Sequence, residues 1–395
     1  MDFLAFFAGL AAGFSALVPF IHANLVLQFS GKFFSGWSAA VFAVVLSFSR
    51  LCWESFASVF FAVASPNQGA SVLPGHRLAL EGKGVAAVSV MLRSFLLSLF
   101  FCVLLLPVAF LLMPFLRGFL MPAIPFLLLG LFFLLVFSEA AEKRFSAVLV
   151  FLLSGLLGFS LFSFPTVKEP LFPLLTGLFA FPALFTAAQN EEKIPLQKKF
   201  FFSISPKLVF AGCLLGFFSG LLPAITPAFL ASAAFFFFEA SPFHFLSLNA
   251  AIVFSKLFYD FVSVATIGKA RSGAAAVVMQ SAGTMQFQDV LVLLFLGVAA
   301  FLLHYFLVRF KSAALADKIS RLDHGRLNSF LFLFLAFSIL LVSGPFGLFV
   351  SATAACVGLL PVLLGTKRAY STGALIVPAL LYYSGLNYFL VSLVR

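Results

Sequence analysis

One seven-residue pattern, F-S-(R/K)-L-x-(W/Y)-(E/D), occurs twice in this chain. Phe48-Ser49-Arg50-Leu51-Cys52-Trp53-Glu54 returns as Phe254-Ser255-Lys256-Leu257-Phe258-Tyr259-Asp260, about half of the 395-residue chain later. Both copies place a cation and an acid four residues apart inside a strongly apolar stretch. On a helix that spacing puts both charges on one face. An unpaired charge at the centre of a bilayer costs about 2.5–3.5 kcal/mol or more, so Arg50 is expected to pair with Glu54 and Lys256 with Asp260. The two pairs have a structural reading as locks and a functional one as substrate or coupling-ion sites. Paired repeats with intramembrane charges are the pattern of a secondary transporter.

Composition makes the bilayer the solvent. Hydrophobic residues are 63% of the chain and charged residues only 9%, against roughly 25% charged in a soluble domain. The net charge of +11 comes from Lys and Arg in short breaks between apolar runs. That is the positive-inside pattern and not a nucleic-acid surface. Cys52, Cys102, Cys213 and Cys356 are scattered through apolar runs, with no metal or redox spacing among them. No metal site is expected.

Crossing a bilayer takes about 20 apolar residues. The candidate runs are 36–65, 84–112, 121–137, 145–163 and 171–188, then 244–267, 287–308, 327–344, 346–364 and 371–393. Two further runs, 3–30 and 208–238, carry Gly, Pro and polar residues at their centres. These two also match each other: Ser15 to Ala23 aligns with Ser219 to Pro227, at nearly the offset of the charged heptad. A weaker third match sets Gly84 to Val88 against Gly273 to Val277. The basic breaks at Lys143/Arg144, Lys193 to Lys207, Arg309 to Arg326 and Lys367/Arg368 all fit a cytoplasmic face. The expectation is an all-α polytopic membrane protein of the cell membrane. It has two inverted repeats, about ten crossings and two Pro-broken re-entrant or discontinuous segments. Residues 1–189 form the first repeat, 190–207 a cytoplasmic linker and 208–395 the inverted second repeat, with both termini outside.

The broken runs are the candidate binding elements. Proline removes a backbone donor and stops a helix. Irregular backbone at membrane depth survives only inside protein or beside a water cavity. Freed amides favour an anion and freed carbonyls a cation. Pro19, Phe20, His22 and Asn24 in one tip, and Pro223, Thr226 and Pro227 in the other, are therefore the expected substrate contacts. Arg50, Glu54, Lys256 and Asp260 are the ion-pair or coupling candidates. No nucleotide-binding or hydrolase motif is present. These residues fit a secondary transporter for a small organic anion, working by alternating access and coupled to Na+ or H+, with no other cofactor. A flippase for a lipid-linked phosphate is the alternative. An intramembrane enzyme using His22 or Asp260 is the weakest reading.

These motifs resemble the tripartite tricarboxylate transporter large-subunit (TctA) family, its archaeal-type stand-alone branch in particular. The resemblance rests on Gly9 and Gly13 before Val18-Pro19-Phe20-Ile21-His22-Ala23-Asn24, and on Gly212 and Gly216 before Leu222-Pro223-Ala224-Ile225-Thr226-Pro227. It extends to Ser71-Val72-Leu73-Pro74-Gly75-His76-Arg77 and to Gly268-Lys269-Ala270-Arg271-Ser272-Gly273. Phe20, Ala224 and Ala23 stand where the family pattern has Gly, Gly and Pro. The resemblance implies a multi-pass carrier for organic carboxylates, with His76, Arg77, Lys269 and Arg271 in family-motif loops. Membrane lipid is its other partner, and the accessory subunits of bacterial tripartite systems are not assumed.

Overall fold

The computed structural model describes residues 2–18, 21–61, 72–163, 167–189, 194–222, 225–234, 241–283, 285–321 and 324–387. In hydrocarbon each backbone N–H and C=O must be satisfied within its own segment, and these apolar runs satisfy them as helices. In the first half they are α1 (Asp2–Gly13), α2 (Ala23–Ser30), α3 (Gly36–Phe60), α4 (Val72–Leu80), α5 (Gly84–Leu104), α6 (Leu106–Leu120), α7 (Ile124–Phe137), α8 (Arg144–Ser163), α9 (Leu171–Leu175) and α10 (Phe181–Gln189). In the second half they are α11 (Pro206–Leu221), α12 (Pro227–Ala234), α13 (Pro242–Ile267), α14 (Gly273–Ala282), α15 (Phe287–Ile319), α16 (His324–Leu363) and α17 (Gly373–Tyr383). The described residues contain no strand. The chain is an all-α polytopic membrane protein.

Among the described residues, seven helical stretches are long and apolar enough to cross a bilayer, from Gly36–Phe60 to Asn328–Leu363. Shorter apolar helices stand beside them, Leu171–Thr186 and Pro206–Leu221 among them, and the sequence runs suggested about ten crossings. The runs 327–344 and 346–364 remain two helices within α16, parted where Gly344 takes a φ of 74° ahead of Pro345. Only glycine adopts that backbone without a steric cost. The run 171–188 changes pitch through a π turn at Thr176–Ala180. The two interrupted runs are broken as expected. α1 passes through a 3-10 turn at Phe14–Leu17 and stops, and the helix restarts as α2. α11 stops at Leu221 and the helix restarts as α12.

The chain divides into two compact units that each draw on both halves of the sequence. The first comprises Met1–Gly118, Lys193–Pro223 and Ala240–Arg321. Here the sequence repeat becomes a repeat of packing. A methyl group on Gly9 would strike Val45 and the Phe42 carbonyl, and one on Gly13 would strike Ser49. At the matching positions, a methyl on Gly212 would strike Ala251 and the Leu248 carbonyl, and one on Gly216 would strike Ser255. Small residues four apart thus let α1 close on α3 and α11 close on α13, the usual device where lipid offers no hydrophobic drive between helices. The next aromatic contact repeats too: Phe14 meets Trp53 at 5.0 Å between ring centroids, and Phe217 meets Tyr259 at 5.2 Å.

The repeats also exchange partners. α15 packs chiefly on α3, and α5 packs chiefly on α13. Phe48 touches its own counterpart Phe254, with centroids 5.9 Å apart. This order pairs α4 with α14 and α5 with α15. The weak match of Gly84 with Gly273 is therefore a misalignment: Gly84 opens α5, whereas Gly273 opens α14. Alanine-rich helix starts look alike without being equivalent. At one end of this unit the linker is held down. Lys198 N donates to the Gly82 carbonyl at 2.7 Å, Gly84 N to Gln197 Oε1 at 2.6 Å, and Arg93 Nη2 to the Phe202 carbonyl.

The second unit comprises Phe119–Glu192, Ala224–Glu239 and Leu322–Arg395. α8 and α17 pack closely because Gly155 and Gly158 leave room for Val377 and the Ala374 backbone. The Tyr370 hydroxyl donates to the Leu135 carbonyl at 2.8 Å. The loop after α16 is bound to the loop after α7: Lys143 Nζ donates to the Gly365 carbonyl at 3.0 Å, and Lys367 Nζ to Ser138 Oγ at 2.6 Å.

Candidate functional site: two broken helices and their cations

In the first tip, Val18 takes an extended conformation after the 3-10 turn. Pro19 and Phe20 lie outside the described residues. His22 is extended, at φ −67° and ψ 142°, and its Nδ1 accepts from Asn24 N at 3.0 Å. His22 is therefore the N-cap of α2, an imidazole doing the work more often given to Ser, Thr, Asp or Asn. A ring nitrogen that accepts leaves the proton on Nε2.

Arg50 spans this break. Its Nε donates to Glu54 Oε1 at 3.1 Å, its Nη2 to the Ile21 carbonyl at 2.7 Å, and its Nη1 to Ser15 Oγ. Arg50 and Glu54 are only 4% and 8% exposed. A guanidinium spreads its donors over a rigid planar fork and so reaches acceptors farther apart than an ammonium, whose three donors radiate from one atom. One side chain thus joins the residue before the break, the residue after it and the paired acid. The Asn24 side chain lies against Gly273, where any methyl group would overlap its amide. The family-motif segment before α14 is thereby brought to the first tip, with Ser272 capping α14 through Ala275 N at 3.2 Å.

Around the second tip the parts are redistributed. Leu222 is extended beyond α11, and Pro223 lies outside the described residues. Thr226 Oγ1 accepts from Phe229 N at 3.2 Å and so caps α12. Pro227 follows at the first helical position, where its missing N–H costs nothing. In the first unit, the end of α11 is tied by Arg271, whose Nη2 donates to the Leu221 carbonyl at 2.9 Å.

The expected pair of Lys256 with Asp260 is not made. Asp260 Oδ1 accepts instead from Arg271 N at 2.7 Å, and Ser263 Oγ donates to the Asp260 and Lys269 carbonyls at 2.7 and 2.8 Å. The chain turns sharply between these groups through Gly268, at φ 59°. That turn carries the Arg271 amide back onto Asp260. Among the described residues, Lys256 makes neither a hydrogen bond nor an ion pair, and Asp260 Oδ2 has no hydrogen-bond partner.

The other motif residues lie elsewhere. His76 Nδ1 is 3.0 Å from the Val59 carbonyl in the last turn of α3, nine residues or about 14 Å of helix from Arg50. Arg77 is exposed, with Glu81 at 3.4 Å. Lys269 contributes its backbone. Sequence reasoning missed His304, which is 1% exposed and accepts from Trp53 Nε1 at 2.6 Å through Nδ1. Its counterpart link is weaker: the Tyr259 hydroxyl reaches the Cys102 carbonyl at 3.5 Å. A lone polar residue in a long apolar helix was the available signal. Among the described residues no group of three or more His, Cys, Asp or Glu is placed to hold a metal.

The tips, both charged helices and the segment before α14 all fall within residues 3–372, the span matched by the model of the tripartite tricarboxylate transporter TctA family. The chain belongs to the TctA family. No curated protein and no solved structure matches it. Membership makes this a multi-pass membrane transporter. As a TctA protein it holds two broken helices, each restarting from a capped residue and each tied near its break by a guanidinium.

Proposed function

We propose that this TctA protein is a secondary transporter for a small organic anion of the carboxylate class, working by alternating access and coupled to Na+ or H+. The observation that carries this reading is the recurrence of one broken, capped and cation-tied helix in both halves of the chain. Helix restarts offer amides to an anion, and unwound carbonyls offer oxygens to a cation. Beyond the amides bonded to His22 and Thr226, the first turns of α2 and α12 keep Ala23 N and Ala228 N for such a role.

The reading includes two inverted repeats with both termini outside the cell. Contacts within each unit support it. The linker meets residues 82–84 in the first unit, and residues 139–143 meet 365–367 in the second. Each contact joins breaks that the positive-inside rule puts on the cytoplasmic face. On the opposite face Arg117 Nη1 donates to the Ile267 carbonyl at 2.7 Å, and Ser38 Oγ to Asp2 at 2.9 Å.

The test is uptake into proteoliposomes. Purified protein is offered labelled citrate, succinate and acetate under an inward Na+ or proton gradient, with scrambling of a fluorescent phospholipid followed in parallel. Gradient-driven accumulation of a carboxylate is expected. Lipid scrambling with no carboxylate uptake would contradict the reading and favour a lipid cargo.

A further inference from the structure

The two repeats place a cation at the same station and use it differently. Arg50 donates in three directions, to Glu54, Ser15 and the Ile21 carbonyl. Lys256, its counterpart, donates to no described residue. The tie it would make to its own tip is made by Arg271, through the Leu221 carbonyl. Lys256 lies near the middle of α13, which runs from Pro242 to Ile267. At that depth an ammonium must find an acceptor, and no described residue supplies one at its present position. One acceptor stands within a rotamer change on the same helix face. Asp260 Oδ2 is unpartnered in a residue that is 0% exposed.

We infer that Lys256 is the side chain that meets a carboxylate of the cargo, and that Asp260 Oδ2 is where its ammonium rests when the cargo is absent. A lysine suits this task because its charge is compact and its four-carbon stem is free to swing. A guanidinium fixed in three directions, as in Arg50, does not. The empty site is then a neutral pair. The loaded site exchanges one carboxylate partner for another, so the ammonium is never left without an anion. The assignment rests on the transport reading above. It divides the two cations into a positioning residue, Arg50, and a binding residue, Lys256.

The test measures saturable uptake of labelled citrate and succinate by proteoliposomes holding wild type, Lys256→Met, Lys256→Arg or Asp260→Asn, with thermal midpoints in detergent for each. Loss of a charge-assisted bond should raise the KM of Lys256→Met by roughly tenfold or more. Its substrate-free midpoint should fall, because Asp260 is then buried without its resting partner. Lys256→Arg should recover part of the affinity. Asp260→Asn should slow net uptake while sparing exchange of internal for external substrate, since only the empty carrier needs the resting partner. Wild-type KM in Lys256→Met would overturn the assignment and leave the transport reading intact. An unchanged substrate-free midpoint in Lys256→Met would overturn the resting place on Asp260. Absence of uptake by wild type would overturn both.

Discussion

His22 and Thr226 hold the same station in the two repeats, and each caps the helix that restarts after a break. His22 Nδ1 accepts from Asn24 N, and Thr226 Oγ1 accepts from Phe229 N. Replacing either by Ala should cost about 1 kcal/mol. His22→Asn and Thr226→Ser should recover most of it. Thermal unfolding in detergent reads the difference. Equal loss in the Ala and the conservative variants would show that capping is not what these side chains contribute.

Arg50 ties both sides of the first break, so charge alone should not replace it. Arg50→Lys keeps the charge and loses the fork. It should destabilise the protein and raise thiol accessibility at a single cysteine placed at 21. Arg50→Met alone leaves Glu54 buried without its partner, typically a loss of about 3–5 kcal/mol. The double variant Arg50→Met with Glu54→Leu should lose less. A double variant less stable than either single one would contradict the pairing.

The glycine seams give a matched comparison. A methyl at Gly216 would strike Ser255 and the Ile252 carbonyl, whereas one at Gly130 meets nothing within 4 Å. Gly216→Ala should cost about 1–3 kcal/mol through overpacking. Gly130→Ala should be neutral or stabilising by up to about 1 kcal/mol, because alanine is the better helix former. Thermal midpoints of the two variants decide it, and similar values would contradict the close approach of α11 to α13.

Trp53 and His304 form the strongest polar contact between α3 and α15. Trp53→Phe leaves the buried Nδ1 of His304 without its donor, which should cost about 1–3 kcal/mol. Tyr259→Phe, at the counterpart station, removes a bond of 3.5 Å and should cost clearly less. Chemical denaturation of the two variants gives the comparison.

The sequence carried the repeat because both copies obey one packing rule. Glycines four apart must face a fixed pair of positions on the partner helix, so Gly9, Gly13, Gly212 and Gly216 keep a register with Val45, Ser49, Ala251 and Ser255. The Arg50–Glu54 pair was legible for a similar reason, since helix geometry alone brings the two side chains together. The fate of Lys256 was not. It depends on the turn at Gly268, which returns the Arg271 amide to Asp260 from eleven residues away. Periodicity holds no record of such a turn. The apolar runs gave the helices but not their local form: the break at Gly344 and the π turn before Phe181 are matters of backbone conformation, which apolar content does not record. His304 escaped notice because its partner, Trp53, comes from the other half of the chain.

Inversion of the two halves is proposed, and one pair of residues tests it directly. Ser35 precedes α3 and Ser241 precedes α13, both in extended backbone at the same station of the two repeats. In a background with Cys52, Cys102, Cys213 and Cys356 replaced, single cysteines at 35 and 241 can be labelled in whole cells with a membrane-impermeant maleimide. An inverted repeat predicts labelling of residue 35 from outside, and of residue 241 only after the membrane is opened. Labelling of both from the same face would make the repeats parallel and contradict the account.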